Sequence, residues 1–306
     1  MNKNLFLVFS KKLYFYRLCV DEQNQCEQIF RTNRLLFYIA HAFRKIGLNI
    51  PYFLLGTWKK KISDYECIAI TDYAYFPNVK KLIEKKNPNC KIIFYYMNRI
   101  DKLKQQYLSI EEIIRVFGED NIYTYDNNDA LKYKINHRGL MYKPFDMYVS
   151  NNEYVSDFIY IGRNKSRGND IFALYEQLKS KYICNFKILD YDGEIGTKKF
   201  IDYSDYIKEL QETKVIVDFD PDLHESINLR VLEALFYDKK LITNNSSIMT
   251  LDIYETIKKN VMIVDFKNID MYEMDLFIKK SITNIPYSEK KNYEFENWLG
   301  ELCKYE

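Results

Sequence analysis

The chain has 306 residues, 47% of them hydrophobic, and is too long for one ordinary core, which favours two domains of about 150 residues each. This hydrophobic content excludes a disordered chain, and the 9 glycines and 6 prolines exclude collagen-like and linker-rich classes. The net charge of +2 is unevenly divided. Residues 1–150 carry 24 lysines and arginines against 15 acidic residues, and residues 151–306 carry 21 against 28. This split predicts two domains with different partners, although two solvated charged surfaces would give the same numbers.

The six cysteines are scattered without a Cys-x-x-Cys pair, and with three histidines in the chain a structural zinc site is not expected. The thiols are typical of reduced residues in a cytoplasmic protein. The apolar run at residues 5–9 is too short for a signal peptide, and no stretch approaches the about 20 apolar residues that span a bilayer. We therefore expect a cytoplasmic protein, soluble or peripheral at the inner face of the cell membrane.

In the first half, short β-rich runs alternate with helical segments, which is typical of α/β layers with parallel sheets. Asn33 is placed to cap a helix that stops before Gly47. The predicted strands are residues 5–10, 50–55, 66–71, 91–96 and 121–125, and the predicted helices are residues 33–45, 78–86, 109–117 and 128–133.

The second half repeats this alternation. The predicted strands are residues 158–162, 186–190, 215–219, 241–243 and 261–265, and the predicted helices are residues 170–181, 204–211, 226–236, 251–258 and 293–303. We place the boundary near residues 144–157, which gives domains 1–150 and 151–306, with the last helix able to pack back on the first domain.

The predicted fold is α/β, with two Rossmann-like domains whose parallel sheets face a cleft. Open α/β sheets bind ligands at the carboxyl ends of their strands, so the cleft is the expected site.

The run from Tyr160 to Gly168 follows a predicted strand and precedes a helix. Gly162 would allow a sharp turn and Gly168 a close helix start. Three cations, Arg163, Lys165 and Arg167, would lie at a helix N-terminus, which itself favours anions. Arginine also fits phosphate oxygens in a bidentate manner. The pattern predicts a diphosphate site, and a solvated basic loop is the alternative.

A second candidate is the run from His224 to Glu233, which follows another predicted strand and opens a helix. Glu225 and Glu233 are slightly over two helical turns apart and so lie near one face. Glu225 would lie at the mouth of the cleft, Glu233 could accept ribose hydroxyls, and Arg230 would be a cation for phosphate. A helix with ordinary exposed charges is the alternative.

The run HESINLRVLEALFYDKKLITNN resembles the donor-binding segment of GT-B-fold glycosyltransferases, with its Glu-x7-Glu pattern, and IYIGRNKSRG resembles their donor-phosphate loop. KIIFYYMNRI and NIYTYDNNDALKY resemble segments of bacterial capsular or lipopolysaccharide glycosyltransferases. The segment departs from the family after its first glutamate, where Ser226-Ile227 stands in place of a small residue or Phe-Gly. The resemblance implies that Glu233 binds ribose and that Glu225 touches the donor sugar or phosphate. The donor-binding residues that it implies are Gly162, Arg163, Lys165, Arg167, Ser226, Asn228, Arg230 and Glu233.

A competing pattern is Asp218-Phe219-Asp220-Pro221-Asp222, which contains two overlapping Asp-x-Asp pairs. In GT-A glycosyltransferases such a pair holds Mn²⁺ or Mg²⁺ against a diphosphate, and carboxylates suit these hard cations. Here the pair lies at a strand end that runs into the helix with Glu225. We therefore expect loop carboxylates and no metal site.

On the acceptor side, Asp72 follows a predicted strand and is the candidate catalytic base, beside the donor-side Glu225. The flanking Tyr73 and Tyr75 could stack on sugar rings of the acceptor. His41, between two alanines in a helix, is a further acceptor candidate, although such a histidine is more often a core or surface residue. A retaining enzyme would need no protein base, because the departing phosphate oxygen can take the proton.

Lysines cluster next to Trp58, at Lys59–Lys61, and again at residues 80–86. An aromatic residue beside lysines suits an anionic membrane surface, whereas a solvated charge run is the alternative. The same patch could bind nucleic acid, but no nucleic-acid fold signature is recognisable and the acidic second half would repel a phosphate backbone.

Together these patterns predict a metal-independent glycosyltransferase without a cofactor. It would pass a sugar from a nucleotide sugar, with a UDP-sugar as the first choice, to a hydroxyl of a bacterial surface glycan (capsule or lipopolysaccharide). Its partners would be the nucleotide sugar and a glycan or lipid-linked glycan acceptor, with no nucleic acid. The alternatives are a GT-B-like nucleotide-sugar epimerase, which needs no acceptor, and a non-catalytic membrane-docking assembly protein.

Overall fold

The computed structural model describes residues 3–10, 25–145, 154–220 and 227–304. It divides into two compact units, residues 1–143 with 294–306, and residues 144–293. None of the helices in these ranges is both long and apolar enough to cross a bilayer. The division thus falls at the start of the boundary region that the sequence predicts, and the last helix belongs to the first unit.

The first unit is built on a parallel six-stranded sheet in the order β2-β1-β3-β4-β5-β6. Its strands are β1 (Asn4–Val8), β2 (Cys26–Gln28), β3 (Cys67–Thr71), β4 (Lys91–Tyr96), β5 (Ile122–Thr124) and β6 (Asn136–His137). Its helices are α1 (Arg34–Lys45), α2 (Val79–Lys86), α3 (Ile110–Phe117), α4 (Asn127–Tyr133) and α11 (Phe295–Leu302).

Both faces of this sheet are buried, which explains why its strands are continuous apolar runs. Leu5 and Leu7 point into the larger core cluster, while Phe6 and Val8 point into a second cluster on the other face. The second cluster is closed by α11, whose Trp298 stacks edge-on against Phe6 with ring centroids 5.6 Å apart. The final amphipathic helix therefore completes the core of the first unit.

The second unit contains another parallel six-stranded sheet, in the order β12-β11-β10-β7-β8-β9. Its strands are β7 (Ser156–Arg163), β8 (Cys184–Leu189), β9 (Gly196–Thr197), β10 (Thr213–Asp218), β11 (Lys240–Thr243) and β12 (Val261–Ile263). Its helices are α5 (Gly168–Leu178), α6 (Tyr203–Gln211), α7 (Leu229–Phe236), α8 (Tyr254–Ile257), α9 (Met271–Lys279) and α10 (Tyr287–Lys290).

Helix ends follow the expected capping chemistry. Asn33 accepts a hydrogen bond from the backbone N–H of Leu36, and Gly47 takes a left-handed φ of 72° just beyond α1. Ser109 caps α3 through the N–H of Glu112. The positions of these two helices were therefore predicted correctly from sequence.

Two expectations for the segment after α1 are wrong. Residues 50–55 do not form a strand but a 3₁₀ turn at Tyr52–Leu54, with a single antiparallel bridge from Leu55 to Phe30. Trp58 does not flank the lysines at the surface: it is fully buried, and its Nε1 donates to the carbonyl of Ile29 over 2.9 Å. An apolar run beside Pro51 can bury its side chains in a turn as readily as in a sheet.

Candidate functional site

The carboxyl ends of the strands in the second sheet meet where the strand order reverses. The chain runs from β7 outward to β9, returns to β10 beside β7, and then runs the other way to β12. Open α/β sheets bind ligands at this kind of reversal. Arg163 ends β7 and Asp218 ends β10, so both lie at the reversal.

The loop between β7 and α5 carries the predicted phosphate-binding cations. Its backbone bends through Lys165 and Ser166, which have left-handed φ values of 40° and 64°. Asn164 holds the loop, because its Oδ1 accepts from the N–H of Gly168 over 2.9 Å, at the first turn of α5. Arg163 and Lys165 are exposed, and within the described residues the ion pairs of this unit involve other cations. The loop thus presents positive charge at a helix N-terminus that favours anions.

Gly162 lies inside β7 and has no left-handed φ, so it does not form the sharp turn that the sequence predicts. Its small size is required for another reason. A Cβ at this position would lie 2.9 Å from Oη of Tyr160 and 3.1 Å from Nη2 of Arg230. Glycine therefore lets these two side chains approach the backbone of β7.

Two arginines converge on the ring of Tyr160. The guanidinium of Arg230 lies 4.9 Å from the ring centroid, and that of Arg167 lies 6.0 Å away. Arg230 donates through Nη2 to the carbonyl of Ile161 over 2.8 Å, and Arg167 donates through Nη1 to the carbonyl of Phe219 over 3.4 Å. Because a guanidinium has five donors, both arginines keep donors beyond these backbone bonds. The structure therefore places Arg163, Lys165, Arg167 and Arg230 at the same edge of the sheet.

Glu233 is 1% exposed and is held by two tyrosines of α6. Its Oε1 accepts from Oη of Tyr203 over 2.7 Å, and its Oε2 accepts from Oη of Tyr206 over 2.6 Å. Burial raises the pKa of this carboxyl above its ordinary value, while the two hydroxyls and the charge of Arg230 oppose the shift. A ribose hydroxyl would have to join or displace these tyrosine hydroxyls to reach it.

Asp218 is fully buried and both its oxygens are engaged. Oδ1 accepts from the amide of Asn228, and Oδ2 accepts from Oγ1 of Thr243 over 3.0 Å. Burial raises the pKa of Asp218. Asn228 also caps α7 by accepting from the N–H of Arg230 over 2.8 Å. Asp218 and Asn228 thus fix the start of the helix that carries Arg230.

The other members of this predicted set, Glu225 and Ser226, lie outside the described residues. Asn228 is the N-cap of α7, so the helix begins after position 228 and not at 226 as the sequence predicts. Within the described ranges, no group of three or more histidine, cysteine, aspartate or glutamate side chains is arranged to hold a metal ion.

In the first unit the strand order reverses between β1 and β3, and Asp72 follows β3 directly. The carboxylate is fully buried. Oδ1 accepts from the N–H of Tyr73 over 2.7 Å, and Oδ2 accepts from the N–H and the side-chain amide of Asn98 over 3.0 and 2.8 Å. Burial raises the pKa of Asp72 to about 6, against the opposing hydrogen bonds and the charge of Arg44. The predicted base therefore lies at the expected edge, but its oxygens bind the two loops that form that edge.

The three predicted acceptor residues have different environments. Tyr73 is 48% exposed, whereas Tyr75 is 1% exposed and packs edge-on against Phe94 with ring centroids 5.3 Å apart. His41 packs edge-on against Phe9 at 5.1 Å, and its Nδ1 is buried without a partner in the described part of the chain. Burial and then the charge of Arg44 lower the pKa of His41. Of the two tyrosines, the structure thus presents only Tyr73 to solvent.

Several residues of these edges were not singled out from sequence. Arg44 is 4% exposed and donates to the carbonyls of Asp72 and Tyr75 over 2.9 and 3.1 Å. Tyr160 is another, since its buried Oη has no hydrogen-bond partner in the described ranges. Tyr203 and Tyr206 could have been identified from the sequence as a pair, because aromatic residues three positions apart on a helix share one face.

No protein-family model matches the sequence, and no curated protein matches it. Solved structures do match. A DNA-modifying β-glucosyltransferase, solved with and without uridine diphosphoglucose, is 13% identical over 100% of both chains, with a TM-score of 0.50. T4 phage BGT in complex with UDP and Mn²⁺ is 11% identical over 100% of both chains, with a TM-score of 0.46. Staphylococcus aureus MnaA bound to UDP is 10% identical over 97% of this chain and 93% of its own, with a TM-score of 0.44.

At such low identity the match to the β-glucosyltransferase bears on the fold alone. It supports an α/β fold built on the two parallel six-stranded sheets. The predicted fold class is confirmed: the protein is α/β, with two Rossmann-like units of the GT-B kind.

Proposed function

We propose that the protein is a glycosyltransferase that takes a sugar from a nucleotide sugar, with a UDP-sugar as the first choice. The observation that carries this proposal is the convergence of four cations at the strand reversal of the second sheet, beside the N-terminus of α5. A nucleotide diphosphate brings the matching negative charge. The structurally similar β-glucosyltransferase has uridine diphosphoglucose as its substrate, which supports the choice of nucleotide.

In this proposal the cations act on the leaving group. Arg163, Lys165, Arg167 and Arg230 would bind the diphosphate, and the positive end of α5 would add to their field. Because negative charge develops on the leaving diphosphate in the transition state, such fixed positive groups lower the barrier. Metal independence follows as part of the same proposal.

The carboxylates have more restricted roles. Glu233 would bind the ribose through the hydrogen-bond network that it shares with Tyr203 and Tyr206. Glu225 remains the proposed donor-side catalytic group. Asp72 is fully buried and accepts three hydrogen bonds from Tyr73 and Asn98, so we assign it first to shaping the acceptor edge, where Tyr73 is exposed.

For the acceptor we propose a hydroxyl of a bacterial surface glycan, of the capsular or lipopolysaccharide kind, that is free or lipid-linked. The support is the resemblance of the first half to transferases of that kind. A DNA acceptor is the competing outcome, because the structurally similar β-glucosyltransferase is a DNA-modifying enzyme.

The proposal is tested by thermal unfolding of the wild type with a panel of nucleotide sugars and free UDP. A ligand that binds the folded protein raises Tm by mass action, so we expect a UDP-sugar to raise it. Calorimetry with UDP should then show at least about tenfold weaker binding for Arg230→Ala and for Arg163→Ala, because each loses a charge-assisted hydrogen bond.

Lys259→Ala is the matched control, since Lys259 is an exposed lysine next to the start of β12, at the opposite edge of the same sheet. It should bind UDP like the wild type. Transfer assays with glycan and duplex DNA acceptors then distinguish the two acceptor classes. If no nucleotide sugar changes the Tm of the wild type, the proposed function is wrong.

A further inference from the structure

A groove runs along one side of α2 in the first unit, with a volume of about 350 Å³. Its α2 wall consists of positions spaced i, i+3, i+4, i+7 and i+8, which form one stripe of a helix. Tyr52, from the 3₁₀ turn that precedes β3, forms the opposite wall. The lining residues are Tyr52, Asn78, Lys81, Leu82, Lys85 and Lys86.

The wall formed by Tyr52 is fixed in place. Its Oη donates to the carbonyl of Lys59 over 3.0 Å, and Nζ of Lys59 donates back to the carbonyl of Tyr52 over 2.6 Å. The ammonium groups of Lys59 and Lys86 lie 4.7 and 5.4 Å from its ring centroid. Tyr52 is nevertheless 42% exposed, so the ring presents an aromatic surface flanked by cations.

The lysines of the groove are not neutralised by the helix that carries them. Glu84 is the one acidic residue of α2, and it pairs with Lys80 over 3.1 Å. Lys80 also donates to the carbonyl of Val116, on the side of α3. In the described part of the chain, Lys81, Lys85 and Lys86 have no carboxylate partner. Their mutual repulsion is relieved by an anionic partner.

The groove has exposed apolar residues beside it. Phe53, next to Tyr52, is 57% exposed, and Leu48 in the same segment is 49% exposed. Asn78, the N-cap of α2, ties this segment to the groove by accepting from the N–H of Ile50 over 3.0 Å. The segment that forms one wall of the groove therefore also exposes an aromatic and an aliphatic side chain.

We propose that this face of the first unit docks on an anionic phospholipid surface. Lysine clusters attract anionic headgroups, and aromatic rings favour the headgroup level, where one edge is apolar and the other wet. A nucleic-acid surface fits less well, because no arginine lines the groove and the segment that carries Tyr52 exposes the apolar Phe53 and Leu48. The surface uses none of the nucleotide-binding residues, so the inference stands independently of the proposed function.

The test is flotation of the full chain with phosphatidylcholine vesicles that contain or lack phosphatidylglycerol. We expect binding to the vesicles with phosphatidylglycerol and release by added salt, because exposed charges are screened. The variant K81E/K85E/K86E should lose at least tenfold in vesicle affinity. The matched control K102E/K132E/K134E reverses three exposed lysines elsewhere in the same unit and should bind like the wild type.

Phe53→Ser changes no charge and should weaken vesicle binding severalfold, which separates a membrane from a purely electrostatic partner. Two results would overturn the inference directly: no flotation of the wild type, or an equal loss of vesicle affinity in the control triple variant. A third would be tighter binding to duplex DNA than to vesicles, together with no effect of Phe53→Ser on either kind of binding. UDP binding by each variant, measured separately, reports whether the second unit is intact and whether the proposed function holds.

Discussion

At the scale of single residues, the fully buried Asp72 shows how a polar group can be retained in a core. Its carboxylate accepts three hydrogen bonds from Tyr73 and Asn98, and Arg44 lies close enough to favour the charged form. Burial is the stronger effect and raises the pKa from 3.8 to about 6. The neutral form is therefore favoured in the folded protein relative to the unfolded chain.

This shift predicts a pH dependence for Asp72→Asn. Between pH 3.8 and about 6 the folded wild type binds more protons at Asp72 than the unfolded chain does, so its free energy of unfolding falls as pH rises. Two pKa units correspond to roughly 3 kcal/mol, an upper bound for this contribution. The asparagine variant does not titrate. We expect it to be less stable than the wild type by about 1–3 kcal/mol near pH 4, because an amide cannot accept all three donors, and we expect the difference to narrow toward pH 7.

Urea unfolding at a series of pH values measures this difference. Asp120→Asn is a suitable control, since Asp120 is an exposed carboxylate of the same unit and should show no such trend. A difference that widens with rising pH would mean that the hydrogen bonds and Arg44 outweigh burial, and that Asp72 is held as an anion.

At the scale of secondary-structure elements, α11 packs into a core whose other residues are remote from it in sequence. Trp298 is 1% exposed, donates from Nε1 to the carbonyl of Gly139 over 2.7 Å, and packs edge-on against Tyr95 with centroids 5.0 Å apart. It thereby covers one face of the first sheet. The first unit is thus complete only when the chain has returned from the second.

We therefore predict that Trp298→Ala lowers the free energy of unfolding by about 3–5 kcal/mol, as expected for a large buried aromatic side chain. Tyr287→Ala, in α10, removes an aromatic side chain that is 62% exposed and should change it by less than about 0.5 kcal/mol. Chemical denaturation monitored by circular dichroism measures both. An equal, small effect of the two substitutions would show that α11 is not part of the core.

The central strands and most helices were predictable because each has a strong local pattern. The strand β4 was predicted with its bounds unchanged, since all but its first residue are buried apolar or aromatic side chains. Strand β2 was not, because two of its three buried residues are Glu27 and Gln28, and β6 and β9 are only two residues long. Short or polar strands are specified by their neighbours in the sheet and carry no periodic signal of their own.

The same limit applies to the candidate site. The cations after β7 follow from sequence because a strand, a basic loop and a helix start are local features. The hydrogen bonds from tyrosines to Glu233 could not be predicted from the sequence, because Tyr203 and Glu233 come from different helices and meet only through packing. The sequence therefore indicates which groups have the right chemistry, while the structure determines which of them a ligand can reach.

At the scale of the whole molecule, a similar fold is built from largely different residues. The similar β-glucosyltransferase aligns over the full length of both chains at 13% identity. Cores tolerate extensive substitution when volume and patterning are maintained, so agreement in fold leaves the binding chemistry to be argued from this chain's own side chains. The four cations of the second unit are the part of that chemistry that can be tested without knowing the acceptor.

The last prediction concerns metal dependence of UDP binding. A diphosphate must be neutralised by metal ions or by side chains, and in the proposed function Arg163, Lys165, Arg167 and Arg230 do so. Asp218, the first carboxylate of the Asp-x-Asp run, already uses both oxygens on Asn228 and Thr243. We expect the Kd for UDP, measured by calorimetry, to differ by less than about twofold between EDTA and Mn²⁺, whereas Arg230→Ala weakens binding in both. Binding that is lost in EDTA and restored by Mn²⁺ would mean that a metal, and not the arginines, carries the diphosphate.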